Sequence, residues 1–133
     1  MTLTQFIKNN QGKKVDFDGK YGTQCVDLYR AYCRDVLDIQ QTPGVVGAKD
    51  IITKPGVLEV TRDSVLADYS RGDVLVWDAT KSNPYGHVAI LVEVYNTKYF
   101  LVFEQDGYKQ DGARLVLRSR EGLLGCLWRR WGD

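Results

Sequence analysis

Histidine is nearly absent from this chain: one occurs in 133 residues, together with one methionine, three prolines and three cysteines. Any imidazole chemistry therefore falls to His87. The three cysteines cannot all pair, and Cys25 and Cys33 stand two turns apart on one helix face, beyond the ~7 Å Cα limit of a disulfide. Cys33 and Cys126 read as small buried hydrophobes. No apolar run approaches the ~18–20 residues of a membrane span, so no membrane insertion is expected. The opening residues Met1 to Lys8 carry no charged region followed by an apolar one, hence no secretory signal. The chain is expected to be cytoplasmic, exported by another device, or a mature or excised domain. A formal net charge of +1 and the lack of any Lys/Arg run leave no electrostatic case for nucleic acid. The arginines near the end (Arg114, Arg118, Arg120, Arg129, Arg130) read as a solvated sheet face or, alternatively, as help in approaching an anionic surface.

What is present is ordinary for one globular domain: 44% apolar and 26% charged residues. There is no repeat, low-complexity tract or linker, so residues 1–133 read as a single domain. A short helix is expected around Leu3 to Asn9. Apolar residues at Cys25, Leu28, Tyr29, Tyr32, Cys33, Val36 and Leu37 follow helical spacing, which predicts a helix from Thr23, as N-cap, to about Leu37. Ala48 to Thr53 suggests a further helical turn. After Pro55 the pattern turns to strands: Gly72 to Trp77, His87 to Tyr95, Tyr99 to Gln105, Arg114 to Leu117 and Leu123 to Trp131. Arg71-Gly72-Asp73 stands at a strand entry and does not read as an adhesion motif. Helices first and an antiparallel meander after is an α+β layout.

The chemistry concentrates at three element ends. Cys25 lies in the first turn of its helix, where free backbone N–H groups and the dipole favour a thiolate. His87 opens one strand after the turn residues Asn83 to Gly86. Glu104 ends the next, and the two residues are nearly equidistant from the break near Asn96. Paired as a hairpin, with strands ~4.8 Å apart, they would bring a carboxylate to an imidazole nitrogen. Thiolate, imidazole and an orienting acid are the parts of a cysteine hydrolase. The bland alternatives are a core cysteine, a surface histidine and an acid serving only its Asp-Gly turn.

Upstream of Cys25 lies an acidic loop. Counting Asp16 as position one, oxygens fall at Asp16, Asp18, the carbonyls of Lys20 and Gly22, and Asp27, offsets resembling those of an EF-hand and a donor set suited to Ca2+. The departures are Tyr21 where a glycine is usual, the shorter Asp27 at the last position and no long preceding helix. A solvated Asp-rich turn is the alternative. If calcium binds, Asp27 would clamp the loop to the turn that carries Cys25.

Gly22-Thr23-Gln24-Cys25-Val26-Asp27-Leu28, Gly72-Asp73-Val74, Gly86-His87-Val88-Ala89-Ile90 and Phe103-Glu104-Gln105-Asp106, in this order, resemble the CHAP amidase/peptidase domains. These are a branch of the papain-like NlpC/P60 peptidoglycan hydrolases common in phage endolysins. The resemblance spans nearly the whole chain and implies a papain-like fold, N-terminal helices packed on an antiparallel sheet. It implies Cys25 as nucleophile, His87 as base, Glu104 as orienting acid and a further polar residue at Asp106, where many relatives carry asparagine. A second carboxylate there would raise the pKa of its neighbour or of the imidazolium. Several phage members bind calcium through such a loop, using tyrosine and histidine carbonyls where this chain has Lys20 and Gly22. Gln24 is expected to shape an oxyanion site with the Cys25 backbone N–H.

The resemblance further implies hydrolysis of a peptidoglycan amide in a Gram-positive host wall. The bond is either muramoyl–L-alanine (amidase) or one in the stem or cross-bridge, such as D-alanyl–glycyl (endopeptidase). The enzyme would stay in the host cytoplasm until released to the wall, or travel with the virion. No wall-binding segment stands out, so targeting is expected from another domain, a partner chain or the cleft itself. The rival readings are a non-catalytic, calcium-stabilised wall-binding module, which need not keep Cys25, His87 and Glu104 together, and a cysteine-dependent acyltransferase.

Overall fold

A computed structural model describes residues 1–19, 24–106, 109 and 111–129. Helix α1 (Leu3–Asn10) starts from a reciprocal cap: Thr2 Oγ1 accepts the Gln5 N–H at 3.1 Å and Gln5 Oε1 accepts the Thr2 N–H at 2.8 Å. Helix α2 (Cys25–Tyr32) does not run on regularly to Leu37 as the periodicity suggests. It widens into a π turn over Cys33–Leu37, where the N–H groups of Asp38 and Ile39 both return to the Cys33 carbonyl and Asp38, at φ 51°, ends the helix. A 3-10 turn, Ala48–Thr53, occupies the expected place.

Six antiparallel strands follow: β1 (Glu59–Arg62), β2 (Val74–Trp77), β3 (His87–Val94), β4 (Tyr99–Glu104), β5 (Arg114–Ser119) and β6 (Leu123–Trp128). Their order in the sheet is β1-β6-β2-β3-β4-β5. The meander expected from sequence thus holds for β2 to β5, whereas β6 returns to pair with β2 and takes β1, which the pattern did not reveal, as its outer neighbour. The fold is α+β, with the N-terminal helices packed on the antiparallel sheet. No helix among the described residues is long and apolar enough to cross a membrane.

Alternation along the central strands builds two cores. Val74, Val76, Val88, Ile90 and Phe103 pack with Leu28, Tyr32 and Phe6 on the helix side, where the Phe6 ring meets Tyr32 at 5.6 Å and Phe103 at 6.1 Å. Leu75, Trp77, Ala89, Leu91 and Val102 fill the opposite face. Burying each large side chain contributes about 1.5–3 kcal/mol, so α2 is held firmly against β3. That contact sets the distance between the start of α2 and the start of β3.

Not all of the C-terminal arginines form the solvated face that composition suggests. Arg120 pairs with Asp63 at 2.7 Å, Arg114 with Asp111 at 3.3 Å, Arg129 donates to the Leu37 carbonyl, and Arg118 pairs with a buried carboxylate. Arg130 and the end expected for the last strand, Trp131, lie outside the described residues. All three cysteines are free, and Cys33 and Cys126 are buried as expected.

Candidate active site

Cys25 is the first residue of α2, and extended Gln24 is its N-cap. The cap therefore falls one residue after the one expected at Thr23, which lies outside the described residues. The third helical position is Asp27, whose Oδ2 accepts the Gln24 N–H at 2.9 Å and whose Oδ1 accepts the Phe17 N–H at 3.1 Å. A carboxylate there fills donors the first turn leaves open and faces the positive end of the dipole. Cys25 is half-buried and lines a cleft of about 870 Å³.

His87 is delivered by a rigid turn. Asn83 Nδ2 donates to the Gly86 carbonyl at 2.8 Å and Asn83 Oδ1 accepts the Tyr85 N–H at 3.0 Å. Gly86 has φ +74°, and a Cβ on it would stand 2.5 Å from the Trp77 carbonyl oxygen, so only glycine fits. His87 then pairs in register with Trp77 across β2 and β3, the two rings 5.9 Å apart.

Glu104 arrives on β4. The Ile90–Phe103 pair puts the next residue, Glu104, on the sheet face shared by Ala89 and His87, after a bulge near Val92 has adjusted the register. Its Oε1 lies 3.1 Å from His87 Nε2, though off the direction of the ring N–H, so among the described residues Nε2 has this contact without an aligned hydrogen bond. Cys25 is close enough to His87 to interact with the ring from the cleft side. The structure thus brings Cys25, His87 and Glu104 together as the spacing predicts.

Electrostatics bind these groups into one unit. Burial disfavours a charged His87, but the hydrogen bond and charge of Cys25, with the contact and charge of Glu104, outweigh it and lift its pKa to about 9. Burial likewise disfavours an ionised Glu104, yet the bonds and charges of His87 and Arg118 hold its pKa down to about 2. Imidazolium and carboxylate therefore coexist at neutral pH.

The remaining candidates surround this chain. Gln24 and Asp106 line the same cleft, with Val45, Val46 and Tyr85 also in its walls. Arg30 of α2 fixes one of those walls by donating to the Thr42 carbonyl at 2.6 Å and the Pro43 carbonyl at 2.8 Å. Three contributors escaped the sequence reading. Gln105, wholly buried, donates to the Val15 and Gln24 carbonyls at 2.7 and 2.9 Å and accepts the Val15 N–H at 2.8 Å, tying the end of β4 to the loop before Cys25. Trp77 lies beside His87, and Arg118 binds Glu104; only the burial alternation of β5, which turns Val116 and Arg118 inward and Leu115 and Leu117 outward, could have flagged the last.

In the acidic loop, one oxygen each from Asp16, Asp18 and Asp27 lies within 4.8 Å of the others. Burial raises the Asp27 pKa against the opposing pull of the Gln24 and Phe17 N–H groups, and the negative charges of Asp18 and Asp16 raise it further. Such a cluster of hard oxygen donors suits a divalent cation. Lys20 and Gly22, expected to add carbonyls, lie outside the described residues.

Comparison with known proteins agrees with this geometry. The CHAP domain family model matches residues 14–106. The endolysin PlyTW of Staphylococcus phage Twort is 34% identical over 132 residues, an alignment covering 89% of this chain and 27% of that protein. This chain therefore spans about a quarter of that relative's length. The crystal structure of endolysin LysIME-EF1 shares the fold, with a TM-score of 0.70 and 21% identity, over 100% of this chain and 66% of that one. Ly7917 does likewise, with a TM-score of 0.70 and 20% identity, over 97% of this chain and 62% of that one. By sequence and by fold, the chain belongs to the CHAP domain family.

Proposed function

We propose that this chain is the catalytic domain of a phage-type lysin, a peptidoglycan hydrolase that cleaves an amide bond with Cys25, His87 and Glu104 and so lyses the bacterial cell. The observation that carries the reading is the convergence of a helix-initiating cysteine and an imidazole of raised pKa on one cleft, with a buried ionised carboxylate against the imidazole. Family membership and the likeness to a phage endolysin support it.

The chemistry follows from the geometry. Cys25 Sγ attacks the amide carbonyl as a thiolate paired with the His87 imidazolium. The tetrahedral oxyanion is stabilised by the Cys25 backbone N–H and by Gln24. His87 gives its proton to the leaving amine as the C–N bond breaks, leaving an acyl-thioester on Cys25. Neutral His87 then takes a proton from water, the hydroxide adds to the thioester, and the thiolate departs as the carboxylate product forms. Glu104 keeps the ring oriented and stabilises its charged form without accepting its proton. Asp106 lines the same cleft, and its charge acts on Arg118.

Asp16, Asp18 and Asp27, with the carbonyls of Lys20 and Gly22, would hold a structural Ca2+. Bound there, the ion neutralises three converging carboxylates. The residues of this chain then do the positioning: Asp27, through its two backbone acceptor bonds, couples the loop to the first turn of α2.

The substrate is the wall of a Gram-positive host, with a wall-binding domain or chain outside these residues as a further partner. The protein acts on the wall after release from the host cytoplasm, or from a virion. Muramoyl–L-alanine and stem or cross-bridge bonds both suit the mechanism, and mass spectrometry of the new termini in digested walls separates amidase from endopeptidase. Turbidity of a Gram-positive wall suspension tests the reading itself: clearing by the wild type and none by Cys25→Ala is expected. Equal clearing by both would overturn it.

A further inference from the structure

We infer that Arg118 is a positioning residue for the Cys25–His87–Glu104 chain: it grips both oxygens of the buried Glu104 carboxylate and so holds Oε1, ionised, against His87. The inference rests on the proposed role of those three residues in proton transfer.

Glu104 is 1% exposed, and a buried carboxylate is tolerated only when its charge and its oxygens are satisfied. His87 contacts Oε1 alone. Arg118 supplies the rest, its Nε on Oε1 and its terminal nitrogen on Oε2, both at 2.5 Å. This is the planar, bidentate match of guanidinium and carboxylate that lysine cannot reproduce. The fork fixes the rotation of the carboxyl group, and with it the direction from which Oε1 meets the imidazole.

The guanidinium is itself held in place. It lies over the Trp77 ring, 5.7 Å from its centroid, while Trp77 Nε1 donates to the Ser119 carbonyl at 3.0 Å. The same indole packs beside His87, so one rigid side chain sets the places of both cations that meet on Oε1.

Charge balance gives the fork a second consequence. The Arg118 guanidinium balances the Glu104 carboxylate charge for charge, whatever the state of the ring beyond it. Because Arg118 never gives up its charge, the carboxylate stays a poor proton acceptor and His87 remains the shuttle. The groups facing Glu104 are His87 from β3, with Cys25 of α2 behind it, and Arg118 and Arg114 from β5. Asp106 lies two residues further on, past the end of β4, and Arg114 is occupied by Asp111.

Because His87 is the only histidine, its ring resonances report on this chain unambiguously by NMR titration. In the wild type the acid arm should show no second inflection before acid unfolding. In Arg118→Met, Glu104 should take up a proton about 1–3 pH units higher. That appears as a new inflection in the His87 signal and as an equal rise in the acid limb of kcat/KM on soluble muropeptides. The kcat should fall about tenfold or more at unchanged KM. Arg118→Lys, which keeps the charge and loses the fork, should leave the acid limb in place and still lower kcat. A role in stability alone would lower Tm and move neither readout. An Arg118→Met variant with wild-type His87 titration and acid limb would overturn the inference. Were that variant unable to fold, wild-type kcat in Arg118→Lys would overturn it instead. The NMR arm needs no substrate, so a wild type that cleaves no muropeptide counts against the hydrolase reading and leaves the Arg118 inference to be judged by the titration.

Discussion

One helix carries two cysteines with opposite surroundings. Cys25 opens α2, half-buried on the cleft beside a histidine whose pKa is lifted to about 9. Cys33 sits where the same helix widens into its π turn, wholly buried. There burial pushes the thiol up to about 11, with the Tyr29 hydroxyl and the Arg30 charge only partly opposing it. The residue type is the same, and so is the helix. What differs is that one sulfur faces a cleft and an imidazole while the other is sealed in the core.

The contrast is broken most severely by removing the exposed sulfur. Cys25→Ala should abolish wall clearing, by a factor of about 10³ or more, with the far-UV spectrum and Tm retained. His87→Ala removes both base and proton donor and should look the same. Glu104→Gln keeps a hydrogen-bonding group beside the ring, so a residual rate should persist; an inert Glu104→Gln beside a fully active His87→Ala would contradict these roles.

The pH dependence sharpens the comparison. The pKa of His87 is raised from 6.5 to about 9 by folding, so its contribution to stability is full below 6.5 and is lost as pH rises through 9. Glu104 is lowered from 4.5 to about 2, so its contribution is full above 4.5 and is lost as pH falls toward 2. Activity should fall on the alkaline side near pH 9 as the imidazolium loses its proton, which a rate profile against pH measures. An alkaline limb centred near 6.5 would show that the chain does not hold His87 charged.

A smaller effect is expected from the acidic loop. Calcium binding to the native state alone would stabilise it by about 2.7 kcal/mol at a hundredfold excess over Kd. A chelator should lower Tm and activity together, calcium should restore both, and magnesium should rescue poorly because it holds its water shell. Asp16→Ala, Asp18→Ala and Asp27→Ala should mimic the chelator, whereas Lys20→Ala keeps its carbonyl and should be mild. The smallest change belongs to the buried sulfur: Cys33→Ala should cost about 1–2 kcal/mol of stability and leave the specific activity unchanged, as denaturant melts and turbidity would show.

The grouping of Cys25, His87 and Glu104 was legible because each member sits where an element begins or ends, and element ends are what turn residues and periodicity mark. His87 follows the Asn83-Pro84-Tyr85-Gly86 turn, Glu104 closes an apolar strand, and Cys25 begins an amphipathic helix. Less legible was anything set by which face of a strand points inward. On β5 the leucines 115 and 117 are exposed while Val116 and Arg118 turn inward, the reverse of what hydropathy suggests, so Arg118 read as a solvated charge. β1, Glu-Val-Thr-Arg, is short and mostly polar and draws its strand character from pairing with β6, which no local pattern records. The π turn escaped for a similar reason: its apolar spacing continues a helix, and only the Asp38 and Ile39 amides competing for the Cys33 carbonyl widen it.

The central proposal is that Cys25, alone among the three cysteines, acts as the nucleophile. Brief treatment of the folded protein with iodoacetamide at neutral pH, followed by peptide mass mapping and a turbidity assay on the same samples, tests it directly. Carbamidomethylation should fall on Cys25 and spare Cys33 and Cys126, should slow markedly in His87→Ala, and should remove lytic activity in step with the fraction modified. Protein fully alkylated at Cys25 that still clears walls would contradict the account.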